Sequence, residues 1–437
     1  MTGTTPGTPR VLRAMNDRAA LELLLAHGSL SRSRIGRLTG LSKPTASQLL
    51  ARLEAAGLVR VTGASRGRPG PNAQLYSLDP AAAHVAGLDV TATRIRAAVA
   101  DITGRTVGSF EVPAPGRSGA PGPSGVSGAS GASGRRPAGP VVRQVVAAVD
   151  GAAGAAGLTR SALHRVVIGT PGAFDPRTGR LRYASHLPGW HSPDLLEELA
   201  AALPMPLEYD NDVNLAAVAE QRLGAARGHD DFVLLWNEQG LGAALVLGGR
   251  LHRGWTGGAG EVGFLPVPGA PLVRQVARAN RGGFQELVGA QALLRTAREL
   301  GIEPPSGRDG EAAAELLARA VERVGPEAGQ DGGGQDGGGQ DGGDGPYGEL
   351  LRRAATGLAT GLAALVAVLD PELIVLSGGV LAAGGEVLRA LVQRELAELA
   401  APRPRLVLGS VTGDPVLSGA LESALATTRD EVFDTSR

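Results

Sequence analysis

The chain has 437 residues, 43 Lys plus Arg against 43 Asp plus Glu, and no cysteine. That length supplies core for two to three domains, the even charge excludes a body drawn to polyanions by bulk basicity, and the missing thiols exclude disulfides and thiolate metal sites. The opening MTGTTPGTPR lacks the apolar core of a secretory signal and no long apolar run stands out, so a cytoplasmic protein with no membrane partner is expected.

Residues 1–14 read as a disordered start and residues 15–80 as a compact module. Met15, Ala19, Leu21, Leu24 and Leu25 carry helical apolar spacing that His27-Gly28 closes. Ser31 then caps a short helix through Ile35 and Leu38, Thr39-Gly40-Leu41 turns, and Ser42-Lys43-Pro44-Thr45 opens a longer helix with Ala46, Leu49, Leu50 and Leu53 inward. Helix, glycine turn and capped helix predict a helix-turn-helix, whose second helix enters the major groove. Ser42, Lys43, Thr45, Ser47, Gln48 and Arg52 supply donors and acceptors for phosphates and bases. Two strands around SRGRPGP make a wing, with Arg66 and Arg68 placed for a minor groove. The bland alternative is a helical interaction domain with a solvated loop.

Beyond Pro80 strands and helices alternate. HVAGLDVTATRIRAAVADITGRTV predicts two strands turning at Thr91 to Thr93 and again at Gly104. Phosphate-binding turns at that place are glycine-rich so that backbone N–H groups can approach the anion, and Thr91-Ala92-Thr93 restricts that approach. Ala114 to Pro140 is low-complexity, an inserted loop. A helix over 140–157, the strand HRVVIGT and a hairpin-like AFDPRTGRLRYA follow, then Trp190, either a sugar-pocket wall or a structural aromatic.

EYDNDVNLAAVAEQRLGAA places Asp210, Asn211, Asp212 and Asn214 between a short strand, predicted to be buried, and a helix. A strand's carboxyl end is where α/β sheets hold ligands, and Asp or Asn there also caps the next helix; four polar residues exceed what a cap requires. Next come two strands around Gln239-Gly240-Leu241-Gly242, a hairpin at Gly248-Gly249, and Glu261 after a glycine-rich turn, either an inward acceptor or a solvated loop residue. The five-residue repeat at 330–345 fits no calcium pattern. A helix over Tyr347 to Leu369, the strand ELIVLSGGV, a helix over 384–400, the strand RLVLGS and a helix from Pro415 to about Thr427 complete an α/β body. At Ser377-Gly378-Gly379 the turn suits an adenosine or a packed backbone.

The ordered set GLDVTATRIRAAVADITGRTV, IGTPGAFDPRTGRLRYASHLPGW, EYDNDVNLAAVAEQRLGAA, GGAGEVGF and ELIVLSGGV, behind a winged helix, resembles the ROK family of sugar-responsive repressors and sugar kinases. The resemblance implies an N-terminal winged helix-turn-helix followed by an actin-like, sugar-kinase-like (ribonuclease H-like) two-lobed α/β body over 81–429, with insertions at 114–140 and 326–346 and a tail at 430–437. It implies that Asn211 and Asp212 hold sugar hydroxyls, that Asp212 matches the kinase branch's catalytic base, and that Glu261 is a further sugar contact. Two positions depart from the family. Thr91-Ala92-Thr93-Arg94 stands in place of the kinase branch's Gly-Gly-Thr-Lys, and Phe264 stands where the zinc-binding histidine is, in a chain without cysteine. Neither ATP nor zinc is therefore expected as a cofactor, no catalysis is expected, and Gly263 to Gly283 is expected to be arranged without a metal. The resulting expectation is a repressor of carbohydrate genes, a homodimer or homotetramer that binds a double-stranded DNA operator and responds to a sugar or sugar phosphate. The competing readings are an ATP-dependent sugar kinase with a fused DNA-binding domain and Asp212 as general base, and a regulator that answers to a partner protein.

Overall fold

Two stretches of strand and helix with the same internal order build the body, and a small winged helix precedes them. The computed structural model describes residues 9–64, 73–113, 139–175, 180–182, 187, 190, 194–273, 282–325 and 345–435. The chain divides into two compact units, one of residues 1–170, 186–209 and 420–437, the other of residues 171–185 and 210–419.

In the first unit, α1 (Pro9–His27) begins inside the stretch expected to be frayed. Its inner stripe is Asp17, Ala20, Leu21 and Leu24, at i, i+3, i+4 and i+7, which leaves Met15 outside at 61% exposure instead of in the core. Strand β1 (Leu30–Ser31) leads to α2 (Arg32–Thr39), capped by the Ser31 hydroxyl and closed by Gly40 at φ 72°. Helix α3 (Lys43–Ala55) is capped by Ser42, carries Pro44 in its first turn, and buries Ala46, Leu49, Leu50 and Leu53 as its spacing predicts. The wing strands β2 (Val59–Ala64) and β3 (Gln74–Leu78) pair antiparallel, with β1 on the other edge of β3.

A meander of β4 (His84–Val90), β5 (Arg94–Asp101) and β6 (Thr106–Pro113) follows. Helix α4 (Pro140–Ala155) crosses to β7 (Leu163–Thr170), which joins β4 in parallel. Hairpin strands β8 (Ala173–Asp175) and β9 (Arg180–Arg182) and helix α5 (Leu195–Ala202) precede β10 (Leu207–Asn211). The sheet order is β10-β7-β4-β5-β6, so β10 is an edge strand, mostly half-buried where full burial was predicted.

In the second unit, α6 (Asp212–Leu223) leads into β11 (Phe232–Asn237), β12 (Leu241–Leu247) and β13 (Arg250–His252), a second meander. Helices α7 (Gln285–Val288), α8 (Ala290–Glu299), α9 (Asp309–Val324) and α10 (Pro346–Leu369) then cross to β14 (Leu373–Ser377). Helix α11 (Gly379–Leu399) connects to β15 (Arg405–Leu408). The order β13-β12-β11-β14-β15 repeats that of the first sheet, antiparallel through the meander and parallel through the crossovers.

Several boundaries differ from the sequence reading. Helix α11 starts at Gly379, five residues before the predicted 384, because a kink at Gly385 lets helix run on both sides of it. Helix α10 is long and apolar enough to cross a membrane, although no such run was evident in the sequence. Its Leu350, Leu351, Ala354, Leu358 and Leu362 are buried in the second unit's core, which accounts for that composition. The last helix, α12 (Pro415–Val432), outruns its predicted end, and the expected tail is structural: Phe433, 2% exposed, sits in one hydrophobic cluster with Leu21, Leu50 and Leu53 of the winged helix and Ile102 beyond it. Buried Glu220 holds the loops after α6 and β15, accepting from Ala225 N–H at 2.7 Å and from Ser410 and Val411 N–H at 2.9 Å.

Candidate functional site

Two sites follow from this framework, one on the winged helix and one at the start of α6. On the winged helix, Ser42, Lys43, Thr45 and Gln48 are exposed at the N-terminal end of α3, where a recognition helix meets base edges. The Ser42 hydroxyl is also the helix cap, 3.4 Å from Thr45 N and 2.8 Å from Thr45 Oγ1. Ser47 donates to the Lys43 carbonyl at 2.9 Å and accepts from Arg32 Nη1 at 2.9 Å.

A cavity of about 390 Å³ opens between α2 and α3, lined among others by Arg32, Arg37, Lys43, Ser33 and Ser47 and by no carboxylate. Three cations around one concavity favour a phosphate. Sequence reasoning passed over Arg32 and Arg37, although RSRIGR is visibly basic.

Arg52 carries a structural contact as well. Its Nη2 donates at 2.7 Å to Oδ1 of Asp17, which is 4% exposed, so Arg52 neutralises a buried carboxylate while 42% of its side chain stays exposed. Arg66 and Arg68 lie outside the described residues, as do the 114–138 and 326–344 parts of the two insertions.

At the polar turn, strand β10 hands over to α6 with Asn211 as the N-cap. Its Oδ1 accepts from Val213 N–H at 2.8 Å and Asn214 N–H at 3.3 Å, while its Nδ2 donates to the Gly172 carbonyl at 3.0 Å. The bland role foreseen for this turn thus accounts for the Asn211 oxygen. Asp210, 7% exposed, accepts from Asn214 Nδ2 at 2.8 Å through Oδ1 and from Arg253 Nε and Nη2 at 3.1 and 2.6 Å through Oδ2.

Arg253 therefore ties the turn to the glycine-rich loop that carries Glu261, and its own carbonyl accepts from Ala259 N–H at 3.2 Å. This latch joins positions 43 residues apart, and only the third dimension reveals it.

Asp212 is the carboxylate left to meet a ligand. Its Oδ1 accepts from Val213 N–H at 2.8 Å. Residual solvent contact at the residue does not offset the packing around its carboxyl group, and burial pushes the acid up to about 7. The Val213 N–H pulls the other way, and Glu238 and Glu261 add to the rise as neighbours of like charge. Glu261 is half-buried, and burial raises its acid as well. An acid poised near neutrality can accept a hydroxyl proton or a hydroxyl hydrogen bond. Trp190, the aromatic candidate, is 7% exposed, a core residue.

The turns suited to phosphate and nucleotide are partly filled from within. The Thr91 hydroxyl accepts from Arg94 N–H at 3.1 Å and Thr93 N–H at 3.4 Å, taking amides that a phosphate would use. Gly378, at φ 87°, packs so closely that a Cβ there would lie 2.5 Å from the Asn237 carbonyl oxygen; of the two alternatives for that turn, the packed backbone is present. At Phe264 the side chain cannot ligate zinc, and the loop is tied by Gly282 N–H to Glu286 at 2.9 Å and by Arg295 to Glu286 at 2.5 Å. Zinc does not fit this donor set.

Two repeated sheets behind a winged helix define the class: the chain carries a ROK family domain and an N-terminal MarR-type winged-helix domain. The ROK family model matches residues 135–323 and the MarR family model residues 5–68. A ROK family transcriptional regulator, a homologue of the E. coli MLC protein, shares the fold with a TM-score of 0.67 at 17% identity, over 97% of this chain and 98% of that one. The ROK hexokinase of Thermus thermophilus superposes with a TM-score of 0.58 at 28% identity, over 79% of this chain and 99% of its own.

In sequence, the glucokinase of Thermotoga maritima is 28% identical over 221 residues, 50% of this chain. The chain spans 65% of that relative's length. These relatives overturn the expectation that the protein is not an enzyme. That exclusion rested on degenerate phosphate-binding turns, the Thr91 to Arg94 turn foremost, and domains of this kind in the relatives belong to a glucokinase and a hexokinase.

Proposed function

We propose that the protein is a sugar-responsive transcriptional regulator, a cytoplasmic repressor of carbohydrate genes whose ROK domain holds a sugar or sugar phosphate and whose winged helix binds an operator. What carries the reading is the cationic concavity beside the exposed end of α3, in one chain with a sugar-type polar turn at Asp210 to Asn214. Half-sites one helical turn apart match a homodimer or homotetramer. A ligand shifts operator affinity only by its differential affinity for the two states, so the direct test is operator binding with and without glucose and other hexoses. A chain that binds no upstream duplex from its own genome in sequence-specific fashion loses this function. Zinc has no part in the proposal.

The DNA face makes a specific prediction. Lys43→Ala and Arg37→Ala each remove one cation from the concavity. Each lowers operator affinity by about tenfold and flattens the dependence of log K on log salt by about 1. Arg68→Ala in the wing is expected to act in the same direction. Arg52→Ala behaves differently: it leaves Asp17 buried without its cation, so it lowers the thermal stability of the winged helix and leaves the salt slope near its original value. Fluorescence titrations at three salt concentrations separate the two patterns.

A second reading, sugar phosphorylation, is favoured by one observation, the Asp212 carboxyl raised to about 7 in a domain related to glucokinases. ATP would pass its γ-phosphoryl group to the sugar oxygen and leave as ADP. Asp212 would take the proton of the attacking sugar hydroxyl, with Glu261 orienting the ring. The amides of Thr93 and Arg94 serve a phosphate only after the Thr91 hydroxyl releases them.

A further inference from the structure

We infer that Arg165 is a positioning residue that couples the strand leading into the polar turn to the recognition helix, by way of Glu431 and the C-terminal segment. The inference rests on the regulator reading and specifies how its DNA-binding face is controlled.

Arg165 lies on β7 and is 7% exposed. One of its terminal nitrogens, Nη1, donates to Glu208 of β10, two positions ahead of Asp210. The other, Nη2, donates to Glu431 near the end of α12 at 2.6 Å. A buried guanidinium between two carboxylates fixes the distance between the elements that carry them. The carboxylates are 40% and 49% exposed, so water can replace either, and Arg165 Nε has no acceptor and remains available to whichever one moves. Such a cluster holds one arrangement without forbidding a neighbouring one.

From Glu431 the path continues through contacts of the same unit. Asp430 accepts from Arg18 of α1 at 2.5 Å. Phe433 belongs to the same buried hydrophobic cluster as Leu50 and Leu53 of α3. The Thr435 hydroxyl lies 3.2 Å from Oδ2 of Asp17, whose Oδ1 holds Arg52 of α3. At its other end, β10 finishes in Asp210 and Asn211, which belong to the second unit and to the polar turn. A ligand that moves the turn therefore pulls on Glu208 through two peptide units, and α12 feels the pull through Arg165.

A double-mutant cycle on the full chain tests this coupling. Arg165→Met and Asp17→Asn share no contact, so two merely structural changes act independently and their effects multiply. Coupling predicts that each variant alone raises amide hydrogen exchange across Lys43 to Ala55 by about tenfold. The pair together falls short of the product by at least about threefold. Arg165→Lys recovers part of the protection, and Glu431→Gln, at a half-exposed position that cannot unfold the chain, shifts α3 in the same direction as Arg165→Met. Effects that multiply, or α3 exchange unchanged in both Arg165→Met and Glu431→Gln, overturn the inference. Should the wild-type chain ignore every duplex while the exchange effects still fail to multiply, the coupling stands and the regulator reading falls.

Discussion

On the phosphorylation reading, Asp212→Asn is expected to lower ATP-dependent phosphorylation, assayed with glucose, by about 10²- to 10⁴-fold, the usual contribution of a positioned general base. The substitution keeps the side chain's shape and the acceptor for Val213 N–H, but an amide cannot take the hydroxyl proton. In the wild type the base must be ionised, and burial sets its carboxyl near about 7, so the rate rises with pH across neutrality and levels off above it. For stability the sign is reversed. The folded state favours the protonated acid, so this contribution is intact below the ordinary carboxylate range and is lost as pH rises toward about 7. At pH about 8 the asparagine variant, free of that charge, melts a few degrees (about 2–4 °C) higher than wild type. Coupled-enzyme rates and thermal melts over the same pH series check both halves. A phosphorylation rate unchanged in Asp212→Asn eliminates the residue as base, and a rate below detection in the wild type eliminates the kinase reading while leaving the melting prediction in force.

The parts of this arrangement that were legible in the sequence are local ones. Ser42, Pro44 and the spacing of Ala46, Leu49, Leu50 and Leu53 specify α3 within a dozen residues, and the wing strands and both meanders follow from alternation and glycine turns. The same is true of the turn at Asn211, where strand, cap and helix are consecutive. What failed depended on partners distant in sequence. Arg52 reads only as a DNA cation, and its ion pair with Asp17, 35 residues earlier, was not visible. Asp210 and Arg253 reveal their latch only when β10 and the end of β13 meet. Residues 430–437 read as a tail because nothing local says that Phe433 belongs to a core some four hundred residues earlier in the chain. The exclusion of catalysis failed for a different reason. A turn that lacks its glycines restricts an anion's approach, but restriction is a matter of degree, and a side-chain hydroxyl such as that of Thr91 can be displaced.

Gly260→Ala is expected to have the largest structural effect of any single methyl group added at the polar site. Gly260 sits at φ 97°, where an L side chain is strained, and an added Cβ would lie 1.9 Å from the carbonyl oxygen of Ala243. That carbonyl belongs to β12 and cannot swing aside as a side chain would. The Gly260 carbonyl in turn accepts from Ala243 N–H at 2.8 Å, so the loop is pressed flat on the strand by its own hydrogen bond. To admit the methyl, the loop must lift, break that bond and carry Glu261 with it. Strain, clash and lost hydrogen bond together come to about 3 kcal/mol or more. Urea denaturation should show a loss of that size in the transition of the unit containing residues 210–419, and, on the proposed sugar-binding reading, calorimetry with glucose as the probe should show affinity weakened by more than about tenfold, since 1.4 kcal/mol is a factor of ten. Gly258→Ala is the control two residues away. There φ is ordinary, the nearest atoms are Thr256 Oγ1 at 3.4 Å and Glu261 Cγ at 4.0 Å, and the change stays within about 1 kcal/mol. Equal losses in the two variants would mean that the loop is sensitive to any added methyl and that its contact with β12 does not set the position of Glu261; a loss confined to Gly260→Ala makes that contact the support on which the sugar grip is built.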